Sequence, residues 1–251
     1  MKLPMLVALL LLGGAVATTI ATSAPAQGLS RAALRQVVGA CAMSKTALGL
    51  SFPCADVQLG KPGADGYAII RSPGFASEFL LASLAPMDGI ESAGLQSDAA
   101  TGFWKAAWDA RLEVAAVLDR PLARTNVALA VNAEGTRTQD QFHIHIDCIR
   151  QGVARLLSAN AALITDQWSK FPSRLLGQPY WARSIAGTDL SGVNVVKLMA
   201  TAPPAAAAPS GWATLAVVGA KLPDGADGFY LLANWGNTSA ERLLDHACRV
   251  Q

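Results

Sequence analysis

Eight consecutive residues, Gln141-Phe142-His143-Ile144-His145-Ile146-Asp147-Cys148, alternate between polar and apolar side chains without a break. A helix would scatter these side chains around its axis, whereas a strand sends alternate residues to opposite faces. The chain must therefore build a sheet in which this strand has one buried face and one face free for chemistry. Phe142, Ile144, Ile146 and Cys148 belong to the first. Gln141, His143, His145 and Asp147 belong to the second, so that two imidazoles share one surface, with an amide before them and a carboxylate after them.

Neutral imidazole is a nucleophile toward phosphorus near pH 7, because its unperturbed pKa of ~6.5 leaves much of it unprotonated. A second imidazole and flanking polar groups can donate to the nonbridging phosphate oxygens, over which negative charge spreads in the transition state. Chemistry of this kind needs no metal or other cofactor. A competing reading is a zinc hydrolase with His143, His145 and His246 as ligands and water in the fourth position; the chain has only these three histidines. His246 lies two residues from Cys248 and would have to reach the same side of the sheet. A non-enzymatic nucleotide- or lipid-binding module is a third reading. The G-x-S-x-G, G-x-x-x-x-G-K-[ST] and H-E-x-x-H motifs are absent.

Around this strand, Ser30 is placed to cap a helix reaching about Thr46, with Leu34, Val37, Val38 and Cys41 along one side. Tyr67–Arg71 and Glu78–Leu84 read as a hairpin across Ser72-Pro73-Gly74. Thr101–Leu118 reads as a helix with Trp104, Trp108, Leu112 and Ala115 on its core face. Asn126–Val131 and Gln141–Ile149 read as strands, and Gly152–Trp168 as a helix. Val193–Met199, Trp212–Ala220 and Gly228–Ala233 read as further strands, with the Ala/Pro-rich Thr201–Gly211 as a surface loop. Thr238 and Glu241 form a capping box for a last helix ending near Cys248.

Of the 251 residues, 52% are hydrophobic and 15% charged, which supports a sizeable core and excludes disorder. A net charge of +2 lacks the basic excess that phosphate-backbone binding requires, so nucleic acid is not an expected partner. The positive mean hydropathy, +0.32, gathers at the N-terminus. Residues 1–26 hold one charge, Lys2, then an apolar run from Met5 to Ala17 and small residues up to Ala24-Pro25-Ala26. This is the pattern of a secretory signal peptide, too short for the ~20 residues of a spanning helix unless Thr18 to Thr22 extend it into a signal anchor. Residues 27–251 then form one domain. Export to an oxidising compartment turns the four cysteines into two expected disulfides. Of three connectivities, the near neighbours Cys41 and Cys54 and the distant Cys148 and Cys248 are preferred.

At the alternating strand the chain resembles the histidine-triad superfamily, and within it the bacterial CDP-diacylglycerol pyrophosphatases. The resemblance is carried by Asn132 through Arg150, with Gly135, Arg137 and Gln139 ahead of Q-F-H-I-H-I-D-C-I-R. It extends to the Cys41/Cys54 pair, Phe103-Trp104, Ala107-Trp108, Ala110-Arg111, Tyr180-x-Ala182-Arg183 and Asp245-His246-x-Cys248. It implies an α+β fold with a histidine-triad-like antiparallel sheet, packed helices and an elaborated C-terminal half. It also implies hydrolysis of CDP-diacylglycerol to CMP and phosphatidate at the periplasmic face of the inner membrane. The family pattern has three alternating histidines, and here there are two. Aligned without gaps, Gln141 replaces the first and His143 becomes the central, nucleophilic residue, with His145 third; this register is preferred. In the other, Asn132 and Gln139 stand eleven and four residues before His143, the superfamily spacing, His145 is central and Asp147 takes the third place. Asn132, Arg137, Gln139, Gln141 and Arg183 are the expected substrate-binding residues.

Overall fold

Short β-prone runs separated by Gly, Pro and Ser turns build one sheet whose neighbouring strands are all antiparallel. The computed structural model describes residues 30–249, and the segment read as a signal peptide or anchor lies outside them. In chain order the elements are α1 (Ala33–Leu48), β1 (Asp56–Gln58), β2 (Tyr67–Arg71), β3 (Phe79–Ser83), α2 (Gly102–Asp109), α3 (Arg111–Val117), β4 (Val127–Val131) and β5 (His143–Cys148). They continue with α4 (Gln151–Ala159), β6 (Ser169–Lys170), β7 (Trp181–Ala186), α5 (Val195–Ala200), β8 (Thr214–Lys221) and β9 (Asp227–Asn234). The strand order β1-β2-β3-β5-β4-β8-β9-β7-β6 places β5 inside the sheet, held on both sides by β3 and β4.

Register decides which side chains share a face. Phe79, Ile146, Leu129, Val217, Leu231 and Arg183 form one row across β3, β5, β4, β8, β9 and β7. Leu80, His145, Ala130, Ala216, Leu232 and Ala182 form the adjacent row, on the opposite face. The first face carries the main core, where Phe103, Trp104 and Trp108 of α2 and Val114 of α3 pack on Leu81, Leu129, Ile144, Ile146, Val217 and Phe229. Burying one such side chain contributes about 1.5–3 kcal/mol. The second face is covered in two pieces. Leu34, Val38 and Cys41 of α1 pack over β1 to β3, while Val153 and Leu157 of α4 and Leu243 and Leu244 pack over β4, β8 and β9. The histidine-bearing strip of β3 and β5 lies between these two covers.

Both expected disulfides are present, Cys41–Cys54 and Cys148–Cys248. Other elements depart from the sequence reading. The helix over Thr101–Leu118 is interrupted at Ala110, which turns Leu112 out to solvent and puts Val114 in the core. The helix expected to reach Trp168 stops at Ala159, where Asn160 leaves helical geometry. Val193–Met199, read as a strand from its valines, contains α5 instead, because the Asn194 side chain caps it by accepting from the Lys197 N–H at 3.1 Å. The capping-box helix at the C-terminus does not form. Residues Glu241–Leu243 make a single 3₁₀ turn, after which Leu244 bridges to Ile149 of the sheet. β7, absent from the sequence reading, pairs with β9 along six residues. Among the described residues no helix is long and apolar enough to cross a membrane.

Candidate active site

His143 and His145 leave the same face of β5 with ring centroids 4.8 Å apart. They are not in an open cleft: each is close to fully buried, at 7% and 6% exposure. The Nδ1–H of His143 donates to the Gln141 carbonyl at 2.7 Å. The Nδ1 of His145 lies 2.8 Å from Oε1 of buried Glu78, the residue preceding β3. A carboxylate can only accept, so this contact puts a proton on Nδ1. Its Nε2 faces Nδ2 of Asn132 and Oε2 of Glu241, both at 3.4 Å.

The third histidine joins the first two from the far end of the chain. His246 donates from Nδ1 to Asp147 at 2.9 Å, stacks on Phe75 at 4.3 Å and turns Nε2 toward Glu241 at 3.6 Å. The segment carrying it is fastened to β5 by the Cys148–Cys248 disulfide and by the Asp245 N–H donating to the Cys148 carbonyl at 2.7 Å. Ser77 and the Cys148 N–H donate to the other oxygen of Asp147, fixing that carboxylate. Glu241 is held in turn by Asn132, whose Nδ2 donates to its carboxylate at 2.8 Å and whose Oδ1 accepts its backbone N–H at 3.1 Å.

These contacts split the protonation states. Burial, with the neighbouring His145, pushes His143 down to about 4, so it is neutral at pH 7. Burial also opposes charge on His246, but hydrogen bonds to Asp147 and Glu241 and the nearby Glu78 outweigh it and raise His246 to about 10. The Glu241 carboxyl, also disfavoured by burial, is held down at about 2 by His246, His145 and Asn132. The cluster thus combines neutral His143, an imidazolium at His246 and an ionised Glu241 at the point where Asn132, His145 and His246 converge.

Of the expected site residues, His143, His145 and Asn132 come together here. Arg137 and Gln141 line one small cavity with Asn132 and His143, although their polar side-chain groups are bonded elsewhere, while Gln139 and Arg183 have other roles. Gln139 accepts the Leu34 N–H at 2.8 Å and so caps the first turn of α1. Gln141 donates to the Ser83 and Ala85 carbonyls and accepts from Arg35, using its amide to fasten a loop rather than continuing the polar row of the strand. Arg137 is paired with Glu91 and Asp140. Arg183 lies on β7 on the opposite face, over the Trp168 ring at 5.8 Å. Neither Glu78 nor Glu241 stands out in the sequence, where Glu241 reads as half of a capping box. His246 enters the sequence reading through the competing zinc shell and through the resemblance at Asp245-His246-x-Cys248. Among the described residues, the possible ligand atoms of Glu78, His145 and Glu241, and separately those of Asp147 and the disulfide-bonded Cys148 and Cys248, lie within 4.8 Å of one another, and neither set holds the three imidazoles expected for that zinc shell.

A family model described as CDP-diacylglycerol pyrophosphatase matches residues 29–251. The chain belongs to this family. A relative from Yersinia pestis named CDP-diacylglycerol pyrophosphatase is 36% identical, over 79% of this chain and 76% of the relative.

In this family member the opposed histidine shifts set how stability varies with pH. His143 has a folded pKa below its unfolded value, so its contribution is complete above about pH 6.5 and is lost as pH falls toward about 4. His246 has a raised folded pKa, so its contribution is complete below about pH 6.5 and is lost as pH rises toward about 10. Glu241 adds a loss below about pH 4.5 that runs to about 2. The melting temperature is therefore expected to peak near pH 6.5 and fall on both sides. In His246→Gln the decline between pH 6.5 and 10 should flatten; an unchanged alkaline limb in calorimetry would reject the assignment.

Proposed function

We propose that the chain hydrolyses the pyrophosphate bond of CDP-diacylglycerol to CMP and phosphatidate through a nucleotidyl-histidine on His145, in a histidine-triad-like site. The observation that carries this reading is the placement of His145: Glu78 fixes its Nδ1 proton, and its Nε2 faces a position already occupied by an anion, the Glu241 carboxylate. A phosphate oxygen entering there meets the same Asn132 amide and His246 imidazolium that hold Glu241. With a pKa of about 2, Glu241 is a poor general base, so its part is to hold the site open and yield to substrate.

In the first step Nε2 of His145 attacks the cytidylyl phosphorus, a nitrogen–phosphorus bond forms and the bridging oxygen leaves with its electron pair on phosphatidate. The leaving group is a phosphate monoester whose second pKa is ~6, so it departs without a strong acid. Glu78 stabilises the positive charge that develops on the His145 ring. The His246 imidazolium faces the departing phosphate, and neutral His143 lies beside the attacking ring. Water then cleaves the nitrogen–phosphorus bond, releasing CMP. His145 is preferred over His143 as nucleophile because burial that lowers His143 to about 4 also disfavours a charged adduct on its ring.

Two disulfides support function in an oxidising compartment, and we place the enzyme at the periplasmic face of the inner membrane. The test is turnover of CDP-diacylglycerol in excess EDTA with CMP and phosphatidate quantified. Mass spectrometry after a denaturing alkaline quench, which preserves a phosphoramidate, looks for CMP bound to the chain. Metal-dependent turnover with no adduct would overturn the mechanism, and tight binding with no CMP released would make the chain a binding module.

A further inference from the structure

The end of α1 and the loop after it turn several large apolar side chains to solvent. Met43 is 69% exposed, Leu48 70%, Leu50 57% and Phe52 77%. Single exposed apolar residues are ordinary, but a group of this kind marks a surface that meets something apolar. These side chains cannot fold back. Leu34, Val38 and Cys41 already occupy the sheet-facing side of α1, Gly49 ends the helix in the left-handed conformation at φ 71°, and the Cys41–Cys54 disulfide closes the loop.

The position of this tip follows from strand register. The Ala55 N–H donates to the Ile69 carbonyl and Asp56 pairs with Ile69, so residues 49–54 lie beyond the end of β2 where the chain turns into β3. That turn carries Phe75, 42% exposed, whose ring stacks on His246, and Ser77, which donates to Asp147. The apolar tip therefore sits at the His246 end of the site, on the same face of the sheet. Its charge is of one sign. Between Cys41 and Cys54 the only charged residue is Lys45; Arg71, paired with Phe79, leaves the opposite face of the sheet.

We propose that this tip is a bilayer-docking surface. It lays Met43, Leu48, Leu50 and Phe52 among the lipid chains, with Lys45 at the level of anionic headgroups, and so presents the His246 end of the site to the membrane. The proposal rests on the reading of a diacyl lipid as substrate and specifies how that substrate arrives. It orients the lipid as well, since the phosphatidate half would leave past His246 and Phe75 toward the bilayer, and the cytidine half would lie toward Asn132. A second copy of the chain suits the tip less well, because a two-fold contact would bring Lys45 against its own copy.

The test uses the full chain and vesicles of phosphatidylglycerol and phosphatidylethanolamine that contain no CDP-diacylglycerol. Hydrogen exchange at the amides of residues 49–52 is expected to slow on adding these vesicles. Exchange that is unchanged overturns the proposal. Protection without lipid that grows with protein concentration assigns the tip to a second copy, and protection without lipid at every concentration assigns it to another segment of the same chain; either also overturns it. The variant combining Leu48→Ser, Leu50→Ser and Phe52→Ser should raise KM for vesicle-borne CDP-diacylglycerol at least about tenfold. Its turnover of a dispersed short-chain CDP-diacylglycerol should match that of the unmodified chain. If the unmodified chain hydrolyses neither form, the proposed activity fails while the exchange result still decides the docking surface.

Discussion

His145→Ala is expected to lower turnover of CDP-diacylglycerol by about 10⁴-fold or more and to abolish the CMP adduct, because no other group replaces a lost nucleophile. His143→Ala should keep the adduct and lose roughly ten- to a hundredfold, the scale of a neighbouring polar contact. The difference follows from the partners of the two rings. His145 donates Nδ1–H to buried Glu78, which stabilises the cation formed when Nε2 bonds to phosphorus, whereas His143 donates to a neutral backbone carbonyl. Glu78→Gln provides an independent check. An amide can still accept from Nδ1 but carries no charge, so kcat should fall by roughly a hundredfold or more with KM little changed. An adduct that survives in His145→Ala and disappears in His143→Ala would exchange the two assignments and restore the ungapped register as the correct one.

The part of the site visible in the sequence is the part written locally. Alternation over His143 to Cys148 fixed the face of both imidazoles, because a strand's period of two leaves no other arrangement. Asn132 could be placed by its spacing, since β4 and β5 are antiparallel neighbours and Asn132 lies just beyond the end of β4. Glu78, Glu241 and His246 are separated from the residues they hold by 67, 109 and 99 positions, and only the folded topology brings them in. Gln139, Gln141 and Arg137 show the converse difficulty. Polar side chains near a catalytic strand have the same composition whether they bind substrate or satisfy a helix end, a loop carbonyl or a buried carboxylate. Arg183 was placed by resemblance to Tyr180-x-Ala182-Arg183, and the sheet register puts it on the other face. The valines around α5 gave a strand signal that the Asn194 cap overrode.

Removing each disulfide in turn should separate fold from catalysis, with the larger combined loss at Cys148–Cys248. That bridge closes a loop with a sequence separation of 100, for which chain entropy alone gives about 4.7 kcal/mol, so Cys148→Ser with Cys248→Ser is expected to cost about 3–5 kcal/mol of stability. Cys41→Ser with Cys54→Ser opens a separation of 13 and should cost about 3 kcal/mol or less. On stability alone the two variants would differ only modestly. In catalysis they should differ widely, because Cys248 lies two residues beyond His246 and anchors it to the strand that carries His143 and His145. With dispersed short-chain substrate, well below either melting temperature, the first variant should lose about tenfold or more in kcat/KM. The second should lose almost nothing, since the Cys41–Cys54 loop touches no reacting group. His246→Ala with both bridges intact should reproduce the catalytic loss, which ties it to the imidazolium rather than to the sulfur bridge. If the two double variants lost activity in equal measure, or if His246→Ala retained full kcat/KM, the C-terminal segment would be structural only and His246 would have no part in binding the departing phosphate.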